Sequence, residues 1–136
     1  MKKTLLATVI VFIAWSILDF IIHGLILSSS YEATAHLWRP MEEMKNGLMY
    51  LVTLIAAFAF VSIYVRYFKE KCSGYGLKYG LWWGLGFGVS MGYGSYSVMD
   101  IPYRMALTWF LGSLVEGAVG GWIVGTVDKG EAKVTA

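Results

Sequence analysis

Apolar residues fall in four long blocks, about Thr4 to Ser28, Asn46 to Phe68, Leu77 to Val98 and Tyr103 to Val127, and most charged residues collect between them. Each block reaches the roughly 20 residues that an α-helix needs to cross a ~30 Å hydrocarbon layer. Strands of a membrane barrel would alternate in polarity over about ten residues, and neither Leu5 to Leu18 nor Leu48 to Val65 does so. The pattern predicts an all-α polytopic membrane protein, a four-transmembrane-helix bundle that forms a single domain over residues 1–136. The first block follows Lys2-Lys3 as a signal sequence would, but its apolar run is far longer than the roughly 7 to 15 residues of a signal core. It is expected to stay as the first membrane helix.

The longest polar stretch, Ser29 to Lys45, has its own local signals. Ser29-Ser30-Tyr31-Glu32 matches a capping box, which predicts a short helix to about Trp38, with Tyr31, Leu37 and Trp38 suited to the membrane interface. Pro40, Glu42 and Glu43 are expected in the first turn of the second span, where carboxylates favour the positive end of the helix dipole.

Composition agrees with lipid as the solvent: 57% of residues are hydrophobic and 15% charged, against roughly 25% charged in a soluble domain. Orientation follows from the Lys and Arg residues, which favour the cytoplasmic side. With the amino terminus inside, that side holds Lys2, Lys3, Arg66, Lys69, Lys71, Lys78, Lys129 and Lys133, against Arg39, Lys45 and Arg104 outside. Both termini are therefore expected in the cytoplasm. Trp38, Tyr96, Tyr103 and Trp109 outside, with Tyr64, Tyr67, Tyr75, Tyr79 and Trp122 inside, read as aromatic belts. Asp100 stands near Arg104 and Arg39 for an outer ion pair. The net charge of +2 forms no basic stripe, so no nucleic acid is expected as a partner. Cys72 alone supplies neither a disulfide nor a CxxC site and reads as an inert loop thiol.

Glycine carries the strongest pattern. Gly76, Gly80, Gly84, Gly88 and Gly92 recur every four residues in the third span, and Gly117, Gly121 and Gly125 do so in the fourth, with Gly112 and Gly120 on an adjoining face. Such ridges let helices approach closely in lipid, where apolar surface alone does not drive them together. Helices three and four are expected to pack on each other, and two ridges on one helix exceed the needs of one partner, which suggests an oligomer.

Chemistry is sparse. Asp19 and His23 on the first span and Glu116 on the fourth are ionisable groups at membrane depth, which are expensive there and default to functional candidates. Asp19 and His23 are i, i+4 neighbours, and Glu116 lies within about one turn of them in depth. If the first and last helices touch, the three converge, either to handle a proton or a cation or as a buried polar clamp in which Glu116 bonds Ser16 or Ser113. Neither proline lies within a span, so helix breaks of the kind transporters use are not evident. Two histidines, His23 and His36, cannot frame a haem, and no cofactor is expected. His36 with Met41, Met44 and Met99 offers a weak soft-metal alternative. No GxSxG, P-loop, HExxH or CxxC pattern is present, which argues against an enzyme.

The segment from His23-Gly24 to Trp38-Arg39-Pro40, the run Gly80-Leu81-Trp82-Trp83-Gly84-Leu85-Gly86-Phe87 and the glycine-rich Gly112 to Gly125 resemble the uncharacterised small four-helix bacterial membrane proteins grouped as a domain of unknown function. The resemblance spans about residues 1–127 and implies a topology, but no activity and no functional residue. The expected role is a non-enzymatic subunit in the bacterial inner membrane, partnered by lipid and by other membrane subunits or by itself. The alternative is a small proton-coupled or cation transporter built on Asp19, His23 and Glu116.

Overall fold

The computed structural model describes residues 2–129 and contains helices and turns, with no strand among the described residues. The polar tail with Lys133 lies outside the described residues. Helix α1 (Lys2–Asp19) runs on into a π-helical turn (Phe20–Ile26), closed where Leu27 N donates to Ile22 O at 3.0 Å. Helix α2 (Ser28–Ala33) and two 3-10 turns, Ala35–Leu37 and Met41–Glu43, lead to α3 (Asn46–Tyr67). Helix α4 (Ser73–Gly88) continues through a second π-helical turn (Val89–Gly94) into α5 (Ser95–Val98), and α6 (Tyr103–Val127) follows directly after Pro102, where a missing N–H costs nothing.

Three helices are long and apolar enough to cross a membrane: Lys2–Ile26, Asn46–Tyr67 and Tyr103–Val127. The helical run through α4 and α5 is as long, but its glycines, serines and tyrosines leave it less apolar than those three.

Helices α4 and α6 lie antiparallel with their backbones in contact. A methyl group on Gly76 would strike the carbonyl oxygen of Gly121, one on Gly80 that of Gly117, and one on Gly84 that of Ser113. Gly88 and Gly92 continue the seam against Phe110 and Ala106. The second ridge of α6 faces α1 instead: Gly120 receives the Trp15 indole and Gly112 the Ile22 side chain. Both ridges are thus filled within one chain. The surplus that suggested an oligomer does not exist, because α6 has two internal partners.

Helix α3 is held differently, by large side chains. Ala57, Phe60, Val61 and Tyr64 join Ala7, Val11 and Trp15 of α1 and Val124 of α6 in one buried cluster. Phe60 meets the rings of Tyr79 and Trp83 with centroids 4.6 and 5.3 Å apart, and the Tyr79 hydroxyl donates to the Phe60 carbonyl at 2.8 Å. This cluster occupies the end of the bundle nearest Cys72. Toward its other end α3 stands free, and Leu48, Met49, Leu51, Val52 and Ile55 are all more than half exposed. A second buried cluster, Ile22, Leu27, Ile101, Met105 and Ala106, fills the end nearest Tyr31.

Several local expectations change. A short helix does follow the first long one, but no side chain caps it, since the chain enters from the π turn through Leu27 and Ser29 is already helical. Pro40, Glu42 and Glu43 belong to a separate 3-10 turn, and the first turn of α3 contains no acid. Tyr64 and Tyr79 are core residues, not belt residues, because α3 has no glycine ridge and fills its space with rings. Asp100 forms no ion pair among the described residues; the pair that does form is Lys71 with Asp128 at 2.7 Å, in which Lys71 also donates to the Val65 carbonyl at 2.8 Å.

Candidate functional site

The antiparallel register of α1 and α6 builds the site. Trp15 sits on Gly120 and Ile22 on Gly112, so Asp19, between the first pair, comes level with Glu116, between the second. The Trp15 indole N–H donates to the Glu116 main-chain carbonyl at 2.8 Å and pins that register. The Asp19 and Glu116 carboxyl groups are neighbours across the α1–α6 seam. His23 Nε2 lies 3.8 Å from Asp19 Oδ1. The adjacency of the first and last long helices, which the convergence of all three residues requires, is present.

His23 sits within the π turn that begins one residue after Asp19. Such turns are uncommon and frequent at functional sites. A second one interrupts the helical run between α4 and α5, with Gly92 against Ala106. These are interruptions that the absence of proline does not reveal.

Two residues that the sequence assigns to the membrane interface complete the arrangement. The Tyr31 hydroxyl, from α2, lies 2.6 Å from His23 Nδ1, and the Trp109 indole N–H donates to that hydroxyl at 3.1 Å. Trp38 closes the aromatic group, its ring 5.3 Å from Tyr31 and 6.2 Å from Trp109, and its own N–H donates to Thr34 Oγ1 at 2.8 Å. Burial is the main influence on the Tyr31 hydroxyl and pushes its pKa above the ordinary 10.0, so it keeps its proton at neutral pH. The only sequence signal for Tyr31 was a tyrosine eight residues after His23, in a segment whose fold back onto α1 is not local.

Ser113 does not serve Glu116: its hydroxyl donates to the Trp109 carbonyl at 2.9 Å. Ser16 lines an apolar groove with Phe12, Ile17, Phe20 and Tyr50, on the α3 side of α1. The side chains of His23 and Asp19 remain 44% and 42% exposed. No three residues among His, Cys, Asp and Glu converge as metal ligands among the described residues. His36 stands exposed in the turn Ala35–Leu37, Met41 is 81% exposed in the next turn, and Met44 follows it at 36%, while Met99 packs on the cluster of Ile22 and Met105. Cys72 caps the start of α4, where its sulfur accepts from the Tyr75 N–H at 3.5 Å.

Compared with protein-family models, curated proteins and solved structures, the chain has no match.

Proposed function

We propose that this chain is a four-span protein of the bacterial inner membrane, with both termini in the cytoplasm and α2 in the outer interface, that serves as a non-enzymatic subunit of an assembly with itself or with other membrane subunits. In this reading α4, its π turn and α5 form the remaining span, with a glycine face that needs no lipid because α6 covers it. The supporting observation is the exposure of Asp19 and His23, more than two-fifths of each side chain, on a helix whose neighbours Ile17, Phe20 and Leu25 are exposed and apolar. A charged group facing lipid near the bilayer centre costs about 2.5–3.5 kcal/mol on insertion scales. A second protein surface over that flank removes the cost. Native mass spectrometry of protein gently extracted from its own membrane tests this: a fixed stoichiometry of copies or foreign subunits is expected, and a monomer carrying lipid alone refutes it.

A second reading, a small proton-coupled transporter, is favoured by a different observation. Trp109, Tyr31, His23, Asp19 and Glu116 follow one another in a single polar line from the loop end of the bundle to the α1–α6 seam. Proton flux in vesicles holding the purified protein tests it.

A further inference from the structure

Glu116 Oε1 is sealed from solvent and meets no hydrogen-bond donor of the protein, and the register of α1 on α6, fixed by Trp15 on Gly120 and Ile22 on Gly112, sets the Asp19 carboxyl level with it. Ionised carboxylates offer each other only lone pairs. Like charges this close resist ionising together, and the contact closes when one proton lies between the two groups. Two of the nearby donors are engaged elsewhere, Trp15 on the Glu116 main chain and Ser113 on Trp109, and the Ser16 hydroxyl, itself buried without a partner, does not bond Glu116.

We propose that Asp19 and Glu116 form a proton-binding site that shares a single proton and exchanges it with the outer surface through His23 and Tyr31. The hydrogen-bond geometry suits the route in the tautomer of His23 that carries its hydrogen on Nε2. Trp109 donates to the Tyr31 oxygen, which leaves the Tyr31 O–H free to donate to His23 Nδ1. His23 then carries its own hydrogen on Nε2, the nitrogen nearest Asp19. In the transfer step Nε2 gives its proton to Asp19, Nδ1 takes the proton of Tyr31, and the Tyr31 oxygen regains one from water at the outer surface, which leaves hydroxide there and His23 neutral with its hydrogen on Nδ1. One proton moves inward, and the charge on the carboxyl pair falls from two negatives to one. The 3.8 Å between Nε2 and Oδ1 exceeds hydrogen-bond range, so His23 must tilt toward Asp19 for the transfer, within the wider π turn that holds it.

The titratable groups around the pair are few. His23 comes from its own helical run, Tyr31 from α2 and Glu116 from α6; from α3, Tyr50 lines the groove beside Ser16 and Phe20. Helix α4 lies on the other glycine face of α6. The proposal rests on the second reading only in that a proton is handled; binding without transport satisfies it.

The test is infrared spectroscopy of the full chain in liposomes, titrated with pH and exchanged into heavy water. The wild type is expected to show a protonated-carboxyl C=O stretch at neutral pH that disappears in both D19N and E116Q. Tyr31→Phe should keep that band and slow its hydrogen–deuterium exchange roughly tenfold or more, because an acid–base relay is lost. A wild type without the band, or a band that survives both variants, overturns the site; unchanged exchange in Tyr31→Phe overturns the route. Proton flux measured on the same liposomes separates the two ideas: a band without flux leaves the site and removes the transporter, and flux without a band does the reverse.

Discussion

Replacing Gly80 by alanine is the sharpest test of the α4–α6 seam, because Gly86 on the same helix provides its own control. A Cβ on Gly80 collides with the Gly117 carbonyl, and the Gly121 Cα lies 3.0 Å from it, whereas a Cβ on Gly86 meets nothing within 4 Å. The obstructing atoms are backbone, so relief requires the helices to part by an appreciable fraction of an ångström along a seam running from Gly76 to Gly92. A gap of ~0.5–1 Å already forfeits about a quarter to a half of each dispersion contact, and overpacking of this kind costs about 1–3 kcal/mol. The backbone clash places Gly80→Ala toward the upper end, about 2–3 kcal/mol, which is roughly a 30- to 150-fold fall in the folded-to-unfolded ratio. Gly86→Ala should be neutral or better, by up to ~1 kcal/mol of helix propensity. Reversible unfolding in mixed micelles, followed by circular dichroism against the mole fraction of denaturing detergent, reads both. Equal stability of the two variants would refute backbone-to-backbone packing of α4 on α6.

Lys71→Ala leaves the buried Asp128 carboxylate without its cation and should destabilise the fold by about 3 kcal/mol; the double variant with Asp128→Asn should recover much of that loss, as a double-mutant cycle will show. Tyr79→Phe removes the donor to the Phe60 carbonyl and should cost about 1 kcal/mol with no change in helix content. Tyr31 is raised above the ordinary 10.0 by burial, so the folded chain holds this proton more tightly than the unfolded chain. Its stabilising share is full below pH 10.0 and is lost as pH rises through the folded value; Tyr31→Phe should flatten that alkaline loss in melting curves, and a loss identical to wild type would count against it.

Period-four glycines could be read from the chain because close helix packing in lipid needs small residues at that spacing and little else. Their partners could not, since a spacing does not say which neighbour fills it, and the two ridges of α6 turned out to serve α4 and α1. Asp19, His23 and Glu116 stood out as polar residues in apolar runs, whereas Tyr31 and Trp109 did not, because an aromatic residue near a helix end looks the same whether it faces lipid or hydrogen-bonds a polar group of the bundle. The π turns leave no mark on hydropathy: they shift a hydrogen-bond register, not a composition. Lys71 and Asp128 are far apart in the chain, and a lysine at the end of an apolar block reads first as a boundary signal.

The pairing of α1 with α6 also sets an order in time. Helix α1 is made first, and the helix that carries Glu116 and receives Trp15 and Ile22 is made last, roughly a hundred residues later. At about 5–20 residues per second of synthesis, Asp19 waits on the order of 5–20 s before its partner exists. For that interval the nascent chain holds an unpaired acid in its first apolar helix, so α1 must either rest shallowly until α6 arrives or be shielded by the insertion machinery, and a ribosome stalled before Glu116 would leave a chain that cannot finish folding.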